Sequence, residues 1–359
     1  MSRQHFHTFD ALRFSSFLLV FLIHLPKTGI KYIDIFLNSG VIGVNFFFVL
    51  SGFLITYILI YEKQQRQTIS LINFFSRRIL RIWPLFYLMI AFAYLSPYIL
   101  NLLNLPSNNE GYSPDLMTSL LFAENYKMMI THSFPDGTPL RVMWSLCIEE
   151  HFYIIWGIIL YYIKIKNIPY LVVCSVIIAN ITRFVYTSWG IEYIDVFSHL
   201  DFFAYGGIPA YILMCKSHYL KIVERIPKQI KYTFLTLTLT IVFIIPKYPS
   251  TVMDFIAPSI FGILFSVVIL FTLGKQCIQI KDNLWYSKLG VYTYGLYLYH
   301  TIVILLLMQV FKMFSISNWY LLASASLLLT IFMSMASYHL FEKQFLKLKK
   351  HFRNNPNNP

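Results

Sequence analysis

Long apolar runs alternate with short polar links along the whole chain. Ten runs stand out, near residues 11–26, 40–60, 82–103, 143–163, 169–187, 197–215, 232–248, 254–273, 288–311 and 319–341. Each is close to the ~17–25 residues that a helix needs to cross a hydrocarbon core of ~30 Å. Only helices and closed barrels satisfy their backbone groups in lipid. The pattern therefore predicts an all-α membrane protein, a polytopic bundle of about ten transmembrane helices. The first run is short and carries Arg13, so its cytoplasmic end is its least defined boundary. No small-residue cleavage site follows it, so it reads as a retained helix and not a signal peptide. No internal repeat is visible. Residues 1–350 read as a single transmembrane domain, and residues 351–359, with the Asn/Pro tail Asn354 to Pro359, as a disordered end.

Composition narrows the class. Hydrophobic residues make up 57% and charged residues 13%, against about a quarter charged in soluble domains. A cytosolic globular enzyme, a disordered protein and a disulfide-stapled module are all excluded. A net charge of +13 does not indicate nucleic acid, because the cations sit in the short links between apolar runs. An even number of spans puts both termini on one side. Of the 29 Lys and Arg, 21 fall on that side and 7 on the other, with Arg13 inside the first span. Both termini are therefore expected in the cytoplasm. The high Lys, Ile, Asn, Phe and Tyr content suits an AT-rich bacterial genome. The longest outer link, about 104–142, is a candidate lid or small subdomain, since long links that are not linkers are usually functional. Cys147, Cys174, Cys215 and Cys277 form no C-x-x-C pair and read as small hydrophobes.

Ionisable groups inside a bilayer cost at least ~2.5–3.5 kcal/mol each and need a reason. The first span holds Asp10, Arg13 and His24. Arg13 and His24 are eleven residues apart, which returns to within about 20° of the same face and separates them by ~16 Å along the axis. Asp10 lies on the same stripe. The structural alternative is an Asp10–Arg13 ion pair with His24 at a helix interface. A His5/Asp10 H-x-x-x-x-D pair belongs to soluble-faced glycerolipid acyltransferases, but those carry it in an α/β domain, which this pattern lacks.

Gly40, Gly43, Ser51 and Gly52 in the second span read first as close-packing positions. FFSRRILRIWP then clusters Arg77, Arg78 and Arg81 at a cytoplasmic helix start. Forked donors beside a helix N-terminus suit phosphates; topology and anionic-lipid contact are the structural alternative. The fourth span opens WSLCIEEHFY and places Trp144, Ser145 and Glu149 in its outer third, at the depth expected for His24. Periodicity does not decide whether Glu149 or Glu150 faces inward, and Glu149 is preferred because Ser145 is its i−4 neighbour. Arg183, His199, Asp201, Tyr297 and His300 are the other polar groups within or beside spans. No metal-ligand cluster is apparent.

The blocks FDALRFSSFLLVFLIH, GVIGVNFFFVLSGFLI, FFSRRILRIWP, WSLCIEEHFY and YGLYLYH, in that order, resemble the integral-membrane acyltransferase-3 family over roughly residues 7–305. The resemblance implies an O-acyltransferase, usually an O-acetyltransferase, acting on glycans outside the cytoplasmic membrane: lipopolysaccharide O-antigen, peptidoglycan, another surface polysaccharide or a lipid-linked sugar. It implies acetyl-CoA or another acyl-CoA as co-substrate, with no permanently bound cofactor. It carries the functional arginine and histidine onto Arg13 and His24, the cytoplasmic R-x-x-R onto Arg78 and Arg81, and the acidic residue of the W-S-L block onto Glu149. Many relatives append an SGNH esterase-like domain; no G-D-S block follows the tenth run here, so none is expected in this chain.

Taken together, His24 is expected as general base or acyl carrier, with Glu149, Arg13 and Asp10 as its catalytic company. Arg77, Arg78, Arg81 and Arg13 are expected on acyl-CoA. Trp144, Ser145, His300 and Asp201 are expected on the acceptor. Expected partners are acyl-CoA, the glycan and membrane lipids. Two other classes compete: a glycan exporter with a polar intramembrane path, and an MBOAT-type acyltransferase with His300 catalytic.

Overall fold

A computed structural model describes residues 6–102, 111–136, 138–245 and 251–352. Arg3, His5, Glu110, Lys247, Arg353 and the Asn/Pro tail lie outside the described residues. The described chain is helical throughout: α1 (Thr8–His24), α2 (Lys31–Asn38), α3 (Ile42–Arg66), α4 (Leu71–Leu102), α5 (Leu116–Leu120), α6 (Glu124–Thr131), α7 (Thr138–Arg141), α8 (Trp144–Tyr162), α9 (Ile168–Trp189), α10 (Leu200–Cys215), α11 (Ser217–Arg225), α12 (Lys228–Ile244), α13 (Thr251–Leu270), α14 (Trp285–Gly290), α15 (Thr293–Met313), α16 (Trp319–Ser337) and α17 (Lys343–Leu348). Among the described residues the only β feature is an isolated bridge between Tyr112 and Pro135.

A helix stands at each of the ten apolar runs. Among the described residues five helical stretches are long and apolar enough to cross a membrane, Lys31–Arg66, Leu71–Leu102, Ile165–Trp189, Thr293–Met313 and Trp319–Phe352, and Leu200–Cys215 and Phe255–Leu270 are shorter apolar helices. Several boundaries differ from expectation. α4 begins at Leu71, eleven residues before the expected start at 82, because the amphipathic link continues the helix. The run near 288–311 is broken: α14 ends at Gly290 and α15 starts at Thr293. After α16 the helix passes through one π-type turn, Tyr338–Glu342, into α17.

The chain forms two compact units, Met1–Ile69 with Ile159–Val185 and Phe197–Thr293, and Ser70–Ile158 with Tyr186–Val196 and Tyr294–Pro359. In the first, small residues let backbones touch, as packing in lipid favours. A Cβ on Gly52 would run into the Phe203 carbonyl, and one on Gly206 into that of Val49, so α3 and α10 meet glycine to backbone on both sides. Gly40 and Gly43 stand likewise against the Leu19 and Ser16 carbonyls of α1. The packing reading of these glycines therefore holds. Lys63, near the end of α3, donates to the carbonyls of Leu160, Tyr161 and Ile163 at 2.8, 2.8 and 2.6 Å. Its ammonium supplies donors to the otherwise orphaned C-terminal carbonyls of α8.

The outer link of the second unit has its own order. Buried Glu124 accepts the hydroxyls of Tyr112, Ser119 and Thr118 at 2.5, 2.6 and 3.3 Å. Burial and the Glu124 carboxylate push the Tyr112 phenol well up from its ordinary value, which keeps it a donor. Tyr112 also exchanges backbone bonds with Phe134 and Asp136, and buried Asn125 donates to the Ile194 carbonyl at 2.9 Å. A carboxylate enclosed this way is stable only because hydrogen bonds replace its water.

Candidate active site

α1 carries the polar stripe in the first unit. Arg13 Nη1 donates to Asp10 Oδ1 at 2.6 Å, and both side chains are about one-fifth exposed. The ion pair named as the structural alternative is thus present, and Arg13 is oriented from within its own helix. The N-terminal half of α1 is pinned by the segment before α15. His7 bonds Asp282 at 2.5 Å, Thr8 bonds the Ile278 carbonyl at 3.3 Å, and Ser15 bonds the Tyr286 hydroxyl at 2.6 Å. Gly290 lies so close to Asp10 that a Cβ there would overlap its carbonyl.

His24 is the last residue of α1 and is exposed. Its Nδ1 lies 2.8 Å from the Val20 carbonyl. A carbonyl only accepts, so Nδ1 carries the proton, and the basic lone pair of the neutral ring is on Nε2. The helix thus selects this tautomer through a backbone carbonyl, an acceptor that sequence reasoning did not consider although an i−4 carbonyl is available to any histidine ending a helix.

Asp201, expected on the acceptor, is enclosed within the first unit. It is 0% exposed, and Arg183 is 1%. Arg183 donates Nη1 to Oδ1 at 3.1 Å and Nη2 to Oδ2 at 2.7 Å, with a further bond from Nη1 to the Ser198 carbonyl at 2.7 Å. The Phe202 N–H completes the carboxylate at 3.0 Å. This enclosed fork joins α9 to α10 and gives both carboxylate oxygens of Asp201 a hydrogen-bond donor. His199 is buried nearby, with the Ser198 hydroxyl at Nδ1 and its ring edge-on to Phe48.

The arginine triplet lies in the second unit, inside α4 and not at its start. From Leu71 to Arg77 is ~9 Å along the axis, so the helix N-terminus adds nothing to an anion held by these side chains; that part of the expectation is corrected. Arg77 donates to the Phe352 carbonyl at 2.8 Å. The Arg78 guanidinium carbon lies 5.9 Å from the ring centres of both Phe74 and Tyr153. Exposed Arg81 faces the carboxylate of Glu342. Glu342, in the π-type turn, is 9% exposed and accepts from Ser337 at 3.3 Å. Sequence reasoning did not single it out; its only signal was an acidic residue among the apolar positions ending the tenth run.

On α8 the two neighbouring carboxylates differ. Glu150 is 8% exposed and takes a 3.4 Å bond from Trp83 Nε1, whereas Glu149 is half-buried and accepts the Tyr153 hydroxyl at 2.8 Å. The enclosed carboxylate is therefore Glu150. Ser145 and Tyr297 share a 2.6 Å hydrogen bond, and the Tyr297 hydroxyl also reaches the Val142 carbonyl at 3.0 Å. Buried His300 donates Nδ1–H to the Tyr297 carbonyl at 2.6 Å. Ser145, Tyr297 and His300 are thus brought together by α8 and α15, and Trp144 stands half-buried at the start of α8. His24 belongs to the first unit and Glu149 to the second. Among the described residues no three metal-ligating side chains gather, and all four cysteines are free, with Cys174 exposed and not buried.

Residues 6–339 match the family model described as an acyltransferase domain. The chain belongs to this acyltransferase-3 family, and its apolar helices make it a multi-pass membrane protein. It is 32% identical over 173 residues to a peptidoglycan O-acetyltransferase of Listeria monocytogenes, covering 46% of this chain and 26% of that protein. Identity to a putative peptidoglycan O-acetyltransferase of Bacillus subtilis is 35% over 186 residues, 48% of this chain and 28% of that one. A putative O-acetyltransferase of Staphylococcus aureus is 30% identical over 155 residues, 42% and 24% of the two chains. Each alignment spans less than a third of the relative's length. No solved structure matches the chain.

Proposed function

We propose that the chain is an O-acyltransferase that moves an acetyl group from cytoplasmic acetyl-CoA to a hydroxyl of an extracytoplasmic glycan. Family membership over residues 6–339 carries this reading. It favours acyl transfer over glycan export, and the names of the relatives make peptidoglycan the first acceptor to test, ahead of lipopolysaccharide. The ten-span topology with both termini in the cytoplasm of a bacterial inner membrane belongs to the same proposal, supported by the ten apolar runs of the sequence and the charge bias.

In this reading the acyl-CoA phosphates meet Arg77, Arg78 and Arg81, and the pantetheine arm runs along α1 past Arg13. The Asp10 carboxylate fixes the Arg13 guanidinium, so that group is oriented before the arm arrives. The thioester then reaches His24. Nε2 accepts the proton of the sugar hydroxyl as its oxygen attacks the thioester carbonyl; the ester forms, and the thiolate leaves and takes up a proton. The 2.8 Å Nδ1–Val20 bond supports this assignment, since a proton held on Nδ1 leaves the basic lone pair on Nε2. Glu149 would stabilise the imidazolium, with Trp144, Ser145 and His300 on the acceptor side. The test is direct: purified protein, labelled acetyl-CoA and isolated peptidoglycan fragments or O-antigen. Label appearing in a base-labile ester on the glycan is expected. Failure to label any glycan while the protein moves glycan across vesicles would establish the exporter instead.

A further inference from the structure

We infer that α11 lies in the plane of the membrane surface and binds the anionic headgroup layer with a paired apolar and basic face. This rests on the membrane placement of the flanking helices and not on the acyl-transfer chemistry. α10 and α12 have 16 and 17 residues and are mostly apolar, so each spans ~24–25 Å and ends near the hydrocarbon boundary. Between them α11 is a separate helix. Lys216 breaks it from α10 with non-helical φ −135°, ψ 49°, and extended Ile226 followed by Pro227 breaks it from α12.

The roll of α11 is fixed. Glu224 Oε1 accepts the Lys275 N–H at 2.8 Å, and the Glu224 carbonyl takes the ammonium of buried Lys231 at 3.3 Å. Gly274 gives Glu224 room, since a Cβ there would sit 2.5 Å from its Cγ. Half-buried Leu220 lies one turn before Glu224, on the same side. At 100° per residue, Ile222 then points about 180° away from this inward edge, with Tyr219 and Val223 following in one direction and His218, Arg225 and Lys221 in the other. Tyr219 and Ile222 are 51% and 55% exposed, and Lys216, Lys221, Arg225 and Lys228 are exposed around them. One edge is held by protein, one sector is apolar and one is basic. That is the layout of a helix lying at a lipid–water boundary with anionic headgroups. A soluble partner would leave the adjoining hydrocarbon edge unexplained, because the apolar sector begins where two apolar helices end.

The test uses the full chain in vesicles of phosphatidylcholine alone and of phosphatidylcholine with phosphatidylglycerol. Amide exchange is read over residues 216–226, and an Ile222→Trp variant is read by quenching with brominated acyl chains. Exchange slower in the phosphatidylglycerol vesicles is expected, with loss of about fivefold protection for each cation removed. Lys221→Glu with Arg225→Glu should abolish the lipid dependence while the rest of the chain exchanges as before. Quenching of the introduced indole above that of N-acetyltryptophanamide free in solution is expected in both vesicles. Exchange indifferent to lipid charge, protection that survives the double charge reversal, or protection that tracks protein density in the vesicle and so reports a second copy, each overturns the proposal.

Discussion

Replacing Asp201 by Ala tests whether its carboxylate belongs to substrate or to the fold. The substitution deletes the two Arg183 bonds, at 3.1 and 2.7 Å, and the Phe202 N–H bond at 3.0 Å. It takes both carboxylate acceptors from a guanidinium that is 1% exposed. Breaking one side of a buried pair costs about 3–5 kcal/mol, because the buried charge loses its paired counter-charge. Asp201→Asn keeps the shape and one acceptor but turns an NH2 toward Arg183, so a smaller loss of about 1–3 kcal/mol is expected. Arg183→Met with Asp201→Leu removes both charges and should recover most of the stability, since a buried ion pair and an apolar pair of similar volume are often equivalent. The assay is thermal unfolding of the solubilised protein alongside acyl transfer at a permissive temperature. The expected order of melting is Ala lowest, then Asn, with the double variant near the parent. If Asp201→Ala melts with the parent and instead raises KM for the glycan, the structural assignment is refuted.

Other substitutions address the remaining groups. His24→Gln removes a proton acceptor at the exposed end of α1 and should lower transfer by about 10²–10⁴-fold without altering melting; near-full activity would reject His24 as the base. Arg78→Ala should raise KM for acetyl-CoA and leave kcat nearly unchanged, measured by steady-state kinetics at saturating glycan. Glu124→Leu takes the carboxylate acceptor from the Tyr112 and Ser119 hydroxyls and should speed proteolytic cleavage within residues 111–136 at least about tenfold, the ratio for ~1.4 kcal/mol, while Glu124→Gln should do so less. Gly290→Ala forces a methyl into the Asp10 carbonyl and should cost about 1–3 kcal/mol, seen as a lower melting temperature together with reduced transfer.

Much of this was readable from the chain. Apolar runs located the helices because burial in lipid depends on length and composition, and the i, i+3 spacing of Asp10 and Arg13 announced their pair. The shorter elements were not readable, because distant partners make them. Three hydroxyls converge on Glu124, and Lys63 serves carbonyls nearly a hundred residues away. α11 is separated from its neighbours by local breaks that hydropathy does not register. At the site, adjacent positions on α8 differ by about 100°, so spacing alone left Glu149 and Glu150 open. Asp201 looked like a substrate ligand because an isolated acid near a span is costly, and its partner Arg183 is 18 residues away. The His24 tautomer was missed because attention went to charged partners and not to a carbonyl one turn back.

The glycines of the first unit have a mechanical consequence. Where a carbonyl rests directly on a glycine, no side chain is left between the helices to slide or change rotamer. α1 is seated on α3 through Gly43 and on the turn just before α3 through Gly40, and α3 on α10 through Gly52 and Gly206, so these three helices form one stiff frame. The imidazole at the tip of α1 is mounted on that frame like a fixed anvil, so that under the proposed reaction the travelling part would be the cargo on its flexible tether.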